Sequence, residues 1–171
     1  MHVLIATDGS LDAGQAAQFA SRLAGADGTV TVLTMVELNR NLLRDLRGLF
    51  GERVVDPTRQ DAEYVSLQPD AGETIGADWP GDDQMLERYL EDQKVERTHE
   101  LVAALDGIGI KADVHVREGE AASGIIAAAT ELKADVVCVG SHGRGVFEGF
   151  LGATSTKLAR RCPTPVLIIR T

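Results

Sequence analysis

The sequence predicts a doubly wound α/β fold built on a parallel sheet, and three observations carry that reading. Five apolar runs of strand length are spread along the 171 residues. Helical periodicity fills the intervals between them. The available core is aliphatic, since four Phe, two Tyr and one Trp are few against the many Ala, Val, Leu and Ile. Branched strands laid against alanine-faced helices suit that composition, which is the packing of α/β layers.

The first run, His2 to Thr7, is followed by a stripe of Ala13, Ala16, Ala17, Ala20, Leu23 and Ala24 at helical spacing. Ser10 or Asp12 can cap that helix by accepting from a free backbone N–H. Val30 to Val36 is the second strand. About 45 residues then intervene before Asp82 and Asp83 open a helix to about Asp106, with Gly107 to stop it. Ala112 to Val116 differs from the other runs: Ala112, Val114 and Val116 alternate with Asp113, His115 and Arg117. One wet side marks a sheet edge. Ala122, Ile125, Ile126, Ala129 and Leu132 form the next helical stripe, and Val136 to Val139 the fourth strand. A helix containing Leu158 and Ala159 ends before Pro163, and Val166 to Ile169 closes the chain. Continuous Val/Ile/Leu strands imply burial on both faces, and right-handed crossovers make the sheet parallel. The third strand is then outermost, as in a flavodoxin-like or related order. The short uncharged Val166 to Ile169 becomes the other edge, and an apolar edge without gatekeepers invites pairing with a copy of itself.

The interval after the second strand far exceeds an ordinary βα loop. Leu42, Leu43, Leu46, Leu49 and Phe50 fall on one helical face, whereas residues 51–82 are rich in Gly, Pro and Asp. That stretch carries eight acidic side chains against Arg53 and Arg59, so a net −6 of the chain's −9 resides there. The chain therefore reads as a single domain, 1–171, with an inserted acidic excursion at about 38–82. Such an excursion serves either as a lid over the site or as an uncommitted mobile segment, and Tyr64 or Trp79 can pin it down.

Charge excludes some functions. Acidic residues outnumber Lys and Arg by 26 to 17, and a surface of that sign repels phosphate backbones and anionic headgroups, so neither nucleic acid nor a membrane is an expected partner. The N-terminal apolar stretch is too short for a signal peptide, and no run approaches a membrane span. Cys138 and Cys162 form no disulfide framework and no CxxC pair, which fits inert thiols in a reducing cytoplasm.

Chemistry in a doubly wound sheet sits beyond the carboxyl ends of the strands at the topological switch point. The first strand delivers Thr7, Asp8, Gly9 and Ser10 there, and the fourth delivers Gly140, Ser141, His142, Gly143, Arg144 and Gly145. Gly140 and Gly143 allow positive φ and close backbone approach, the following helix adds its positive end, and Arg144 adds full charge. Together these make a phosphate cradle, although glycines after a strand also serve as plain turns. Asp8 can accept from a sugar hydroxyl or base amine, hold a magnesium ion, or cap the first helix. His142 suits a ribose or phosphate as a neutral imidazole, and equally an ordinary turn. Competing motifs fail. The spacing of Gly143, Gly145 and Gly149 lacks the acidic residue a dinucleotide site needs, no GxxxxGK[ST] is present, and Ser141 has no triad histidine. No HxxxH-type spacing among the four histidines supports zinc.

Gly140-Ser-His-Gly143-Arg, followed by Gly152-Ala-Thr154, Cys162-Pro-Thr-Pro165-Val-Leu-Ile-Ile-Arg and the opening Ile5-Ala-Thr-Asp8-Gly-Ser10, resembles the universal stress protein family. The likeness covers nearly the whole chain except about 38–82. It implies a five-stranded parallel sheet in order 3-2-1-4-5 with helices on both faces, an adenine nucleotide alpha hydrolase-like fold. It also implies homodimers, which the apolar edge places at Val166 to Ile169, and in one branch ATP or AMP bound at the Gly-rich loop, where Asp8 can bring magnesium with the nucleotide. By resemblance, Thr7, Asp8 and Val36 flank the adenosine, while Gly140, His142, Gly143, Arg144, Gly152, Ala153 and Thr154 hold the phosphates. The family's nucleotide pattern is G-x2-G-x9-G-[ST]. Here eight residues rather than nine separate Gly143 from Gly152, Ala153 stands where a hydroxyl is expected, and Thr154 comes one place late.

The expected function is a cytoplasmic nucleotide-binding stress-response or signalling module. No residue is evidently placed to activate an attacking water, so it is at most a slow ATPase and no catalytic residue is assigned. The alternative is a dimeric interaction protein of the same family that binds no nucleotide.

Overall fold

The computed structural model describes residues 1–38, 82–141 and 151–170, and of residues 82–85 the backbone alone. The chain divides into two compact units, Met1–Leu38 with Tyr89–Thr171, and Asn39–Arg88. Only residues 82–88 of the second are described. The inserted excursion read from the sequence, with its Leu42 to Phe50 stripe, Tyr64 and Trp79, lies outside the described residues.

The described elements alternate as β1 (His2–Ala6), α1 (Ala13–Ala24), β2 (Thr29–Val36), α2 (Asp82–Gly107), β3 (Ala112–Glu118), α3 (Ala121–Glu131), β4 (Val136–Gly140), α4 (Ala153–Arg161) and β5 (Val166–Ile169). All pairings are parallel and the order is β3-β2-β1-β4-β5. The two predicted edges, β3 and β5, are the edges observed. β1 is central, and the period-two alternation of a strand sends its side chains to opposite faces. Val3 and Ile5 join Ala16, Ala17 and Ala20 of α1 and Leu101 and Leu105 of α2. Leu4 and Ala6 join Ala122, Ile125 and Ala128 of α3 and Leu158 of α4. Helices therefore cover both faces, and four of the six residues in the predicted α1 stripe are buried.

Local details refine the reading. Asp12, rather than Ser10, caps α1, its Oδ1 accepting from the Gln15 N–H at 2.8 Å. Gly107 is the last residue of α2 and does not itself reverse the chain; the left-handed residue is Gly109, at φ 79°. On β3, Asp113 is exposed while Arg117 is half-buried and paired with Glu131 at 2.7 Å. Both cysteines are free, and burial pushes the Cys138 thiol up to about 11. An inert thiol is the consequence, because the thiolate is the reactive form. No described helix is long and apolar enough to cross a membrane.

Candidate functional site

The sheet order reverses between β1 and β4, and a crevice of about 260 Å³ opens beyond their carboxyl ends. Its polar wall is the β1–α1 turn. Thr7 is buried, and its Oγ1 accepts from the Gly9 N–H at 3.0 Å. The Asp8 Oδ1 accepts from the Ser10 N–H at 3.0 Å and from the Ser10 hydroxyl. Gly9 sits at φ 88°, a backbone angle that glycine adopts without a Cβ penalty, so the turn is tight. Two consecutive side-chain turns fix Asp8 at the crevice instead of releasing it to cap α1, which has Asp12.

The opposite wall is the start of α4. Gly152 is its N-cap and offers no side chain to the first-turn N–H groups. Ala153, Thr154 and Ser155 follow and line the crevice. A helix start without a capping side chain leaves donors and the positive end of the dipole available to an anion. Hydrogen bonds tie this helix start to the end of β4 and to β5. The Ser141 carbonyl accepts from the Gly152 N–H at 2.8 Å, and Ser141 donates its own N–H to Ile169 at 2.8 Å. The Ser155 hydroxyl donates to the Gly140 carbonyl at 2.6 Å. Gly140 has no positive φ, being the last residue of β4 and paired with Ile169. What it contributes is a wall without a side chain.

Leu33, Met35, Ile125 and Val139 make the floor apolar, and Ala121 brings the start of α3 to the rim. That helix start is already served by an anion. The Glu120 Oε2 accepts from the Ser123 N–H at 2.8 Å and its hydroxyl at 2.6 Å, while Oε1 pairs with the Lys157 ammonium at 2.8 Å. The lysine bond, followed by those from Ser123, holds the Glu120 carboxyl well below the usual range, at about 2.

Of the residues singled out from the sequence, Thr7, Asp8, Gly140, Gly152, Ala153 and Thr154 are brought together around this one crevice. Val36 is buried at the end of β2 and does not line it. His142, Gly143 and Arg144 lie outside the described residues. Sequence reasoning missed Ser155, whose signal was a second hydroxyl directly after Thr154. It also missed Leu33 and Met35, whose i, i+2 spacing puts them on one face of β2.

A model of the universal stress protein family matches residues 1–170. A universal stress protein encoded in the QAH/OAS sulfhydrylase 3′ region of Thermus aquaticus is 34% identical over 89 residues, covering 52% of this chain and 63% of that protein. The chain thus spans less than two thirds of that curated relative. A hypothetical protein whose biochemical function was assigned from its structure aligns with TM-score 0.65 at 16% identity, over 99% of this chain and 95% of its own. A universal stress protein solved in complex with cAMP aligns with TM-score 0.55 at 19% identity, over 99% and 96%. At those identities the two structures establish the shared fold.

Proposed function

The chain belongs to the universal stress protein family, and we propose that it is an adenine-nucleotide-binding stress-response or signalling module, cytoplasmic and at most a slow ATPase. One observation carries the reading: a carboxylate fixed by its own turn faces a helix start without a capping side chain across an apolar floor. The apolar floor of Leu33, Met35, Ile125 and Val139 suits a flat base, which loses water-exposed surface there. Asp8, acceptor-only when ionised, suits an amine or sugar hydroxyl. The first-turn N–H groups of α4 and the Thr154 hydroxyl suit a phosphate, and they offset the altered spacing by standing one residue further into the helix. The match of the relative solved with cAMP is compatible with ATP or AMP as the ligand class here. Magnesium, when present, would neutralise phosphate charge beside Asp8. Among the described residues none stands ready to orient an attacking water, so Asp8 and α4 bind and position rather than catalyse.

The test is thermal. ATP or AMP at a hundred times its Kd should add about 2.7 kcal/mol of stability and raise the melting temperature by very roughly 5 to 10 °C. Mass spectrometry of any co-purified small molecule identifies the ligand independently. No shift at millimolar nucleotide with magnesium removes this reading and leaves the dimeric interaction protein. That second reading is favoured by β5, an edge strand whose Val166, Leu167 and Ile168 are all half-exposed.

A further inference from the structure

The ion pair between Glu120 and Lys157 links residues next to the crevice lining, Glu120 preceding Ala121 and Lys157 lying one turn beyond Ala153 and Thr154 on α4. It joins the cap of α3 to the second turn of α4, and both side chains are more than two-fifths exposed. An exposed pair of this kind contributes little stability. Its two members are held unequally. Glu120 is anchored by two further bonds from Ser123, from the backbone N–H and the hydroxyl. Among the described residues Lys157 bonds to Glu120 alone and is otherwise carried on a flexible four-carbon stem. The lysine is the partner free to leave.

Its position gives it somewhere to go. Lys157 follows Ala153 by four residues and Thr154 by three, so all three share a face of α4. Ala153 and Thr154 line the crevice, and Ala121, next to Glu120, lines its rim. Asp8 is the one charged side chain among the described lining residues. A phosphate seated on the start of α4 would meet helix N–H groups on one side and the ammonium within reach of the same face.

We propose that Glu120 and Lys157 form a charge latch for the phosphate end of this site, in which a ligand phosphate draws Lys157 away from Glu120. The inference rests on the adenine-nucleotide reading and deepens it. Glu120 competes with the phosphate for Lys157, so the pair weakens binding of every anionic ligand while leaving the base end untouched. A dianionic phosphate monoester gains most from the exchange, because it offers a charge-assisted bond in place of a screened one.

Calorimetric titration with AMP and with adenosine tests it. Lys157→Met should weaken AMP about tenfold, the worth of a bond to a charged group less the small contribution of the exposed pair, and leave adenosine unchanged. Lys157→Arg should restore most of the preference for AMP, which a merely structural lesion would not. Glu120→Gln should tighten AMP several-fold, and the gain should shrink in the Glu120→Gln, Lys157→Met double variant. If wild type binds both ligands and Lys157→Met keeps their ratio, the latch is wrong and the nucleotide reading stands. If wild type binds neither, both fall together.

Discussion

Met35 lies across the α3 backbone at Gly124, so closely that a methyl group added at 124 would overlap its Cε and come within 2.8 Å of its Sδ. Met35 also lines the crevice floor. The missing side chain at 124 is thus the space into which the thioether withdraws, and the width of the floor depends on it. Gly124→Ala should push Met35 toward the crevice, since a flexible unbranched side chain yields before a helix backbone does. Nucleotide affinity should fall by several-fold, and Met35→Ala in the same chain should recover it. Titration of the single and double variants checks this; equal affinity in wild type and Gly124→Ala would show that the floor is indifferent to Met35.

The uncapped start of α4 allows a test in which stability and binding move in opposite directions. No acidic residue stands in its first turn, and Ala153 is exposed. Ala153→Asp places a negative charge at the positive end of the helix, worth about 0.3 to 1 kcal/mol. The ligand-free protein should melt about 1 to 3 °C higher. The same charge repels phosphate, so the ATP-dependent rise should disappear. A variant that keeps both the gain and the ATP response would mean that anions do not seat there.

How much of this was legible in the sequence follows from the range of each interaction. Every strand could be read because β1, β2, β4 and β5 are chiefly apolar on both faces and β3 is not, a local property of four to eight residues. Asp8, Gly140 and Gly152 could be read because each stands at an element's end or within two residues of one, where a doubly wound sheet puts its ligands. Val36 shows the limit. It stands one residue beyond Met35, and a one-residue step turns a side chain to the other face of the sheet. Nothing local in the second-strand run sets Met35 apart, and the space its thioether fills belongs to Gly124, far along the chain. Glu120 and Lys157 are 37 residues apart, so no local spacing announced their meeting.

The β5 edge predicts assembly. Val166, Leu167 and Ile168 are half-exposed while Ile169 is buried, and β5 pairs with β4 on one side only. We expect a homodimer that pairs two copies of this strand, burying the exposed aliphatic surface. Ile168→Lys should give a monomer by light scattering at micromolar concentration, since a charge on that edge opposes pairing. Wild type that is itself monomeric, or a variant that stays dimeric, would sink the assignment.

The Glu120 carboxyl predicts a pH dependence whose sign can be worked out. Its ordinary value of 4.5 is lowered to about 2 by the bond from Lys157 and then by the Ser123 hydroxyl and N–H. Between those values the unfolded chain takes up a proton that the folded chain refuses, so stability rises with pH across that window. The contribution is complete above about pH 5 and is lost as the pH falls from 4.5 toward 2. Glu120→Gln removes the titration while keeping an acceptor for the cap. Urea unfolding of both proteins should therefore show a constant stability difference at neutral pH that narrows steadily once the pH drops below 4.5. Lys157→Met should retain part of this narrowing, because the two bonds from Ser123 still favour the ionised cap. A difference between wild type and Glu120→Gln that is the same at pH 7 and pH 3 would show that the carboxylate is not held by these partners in solution.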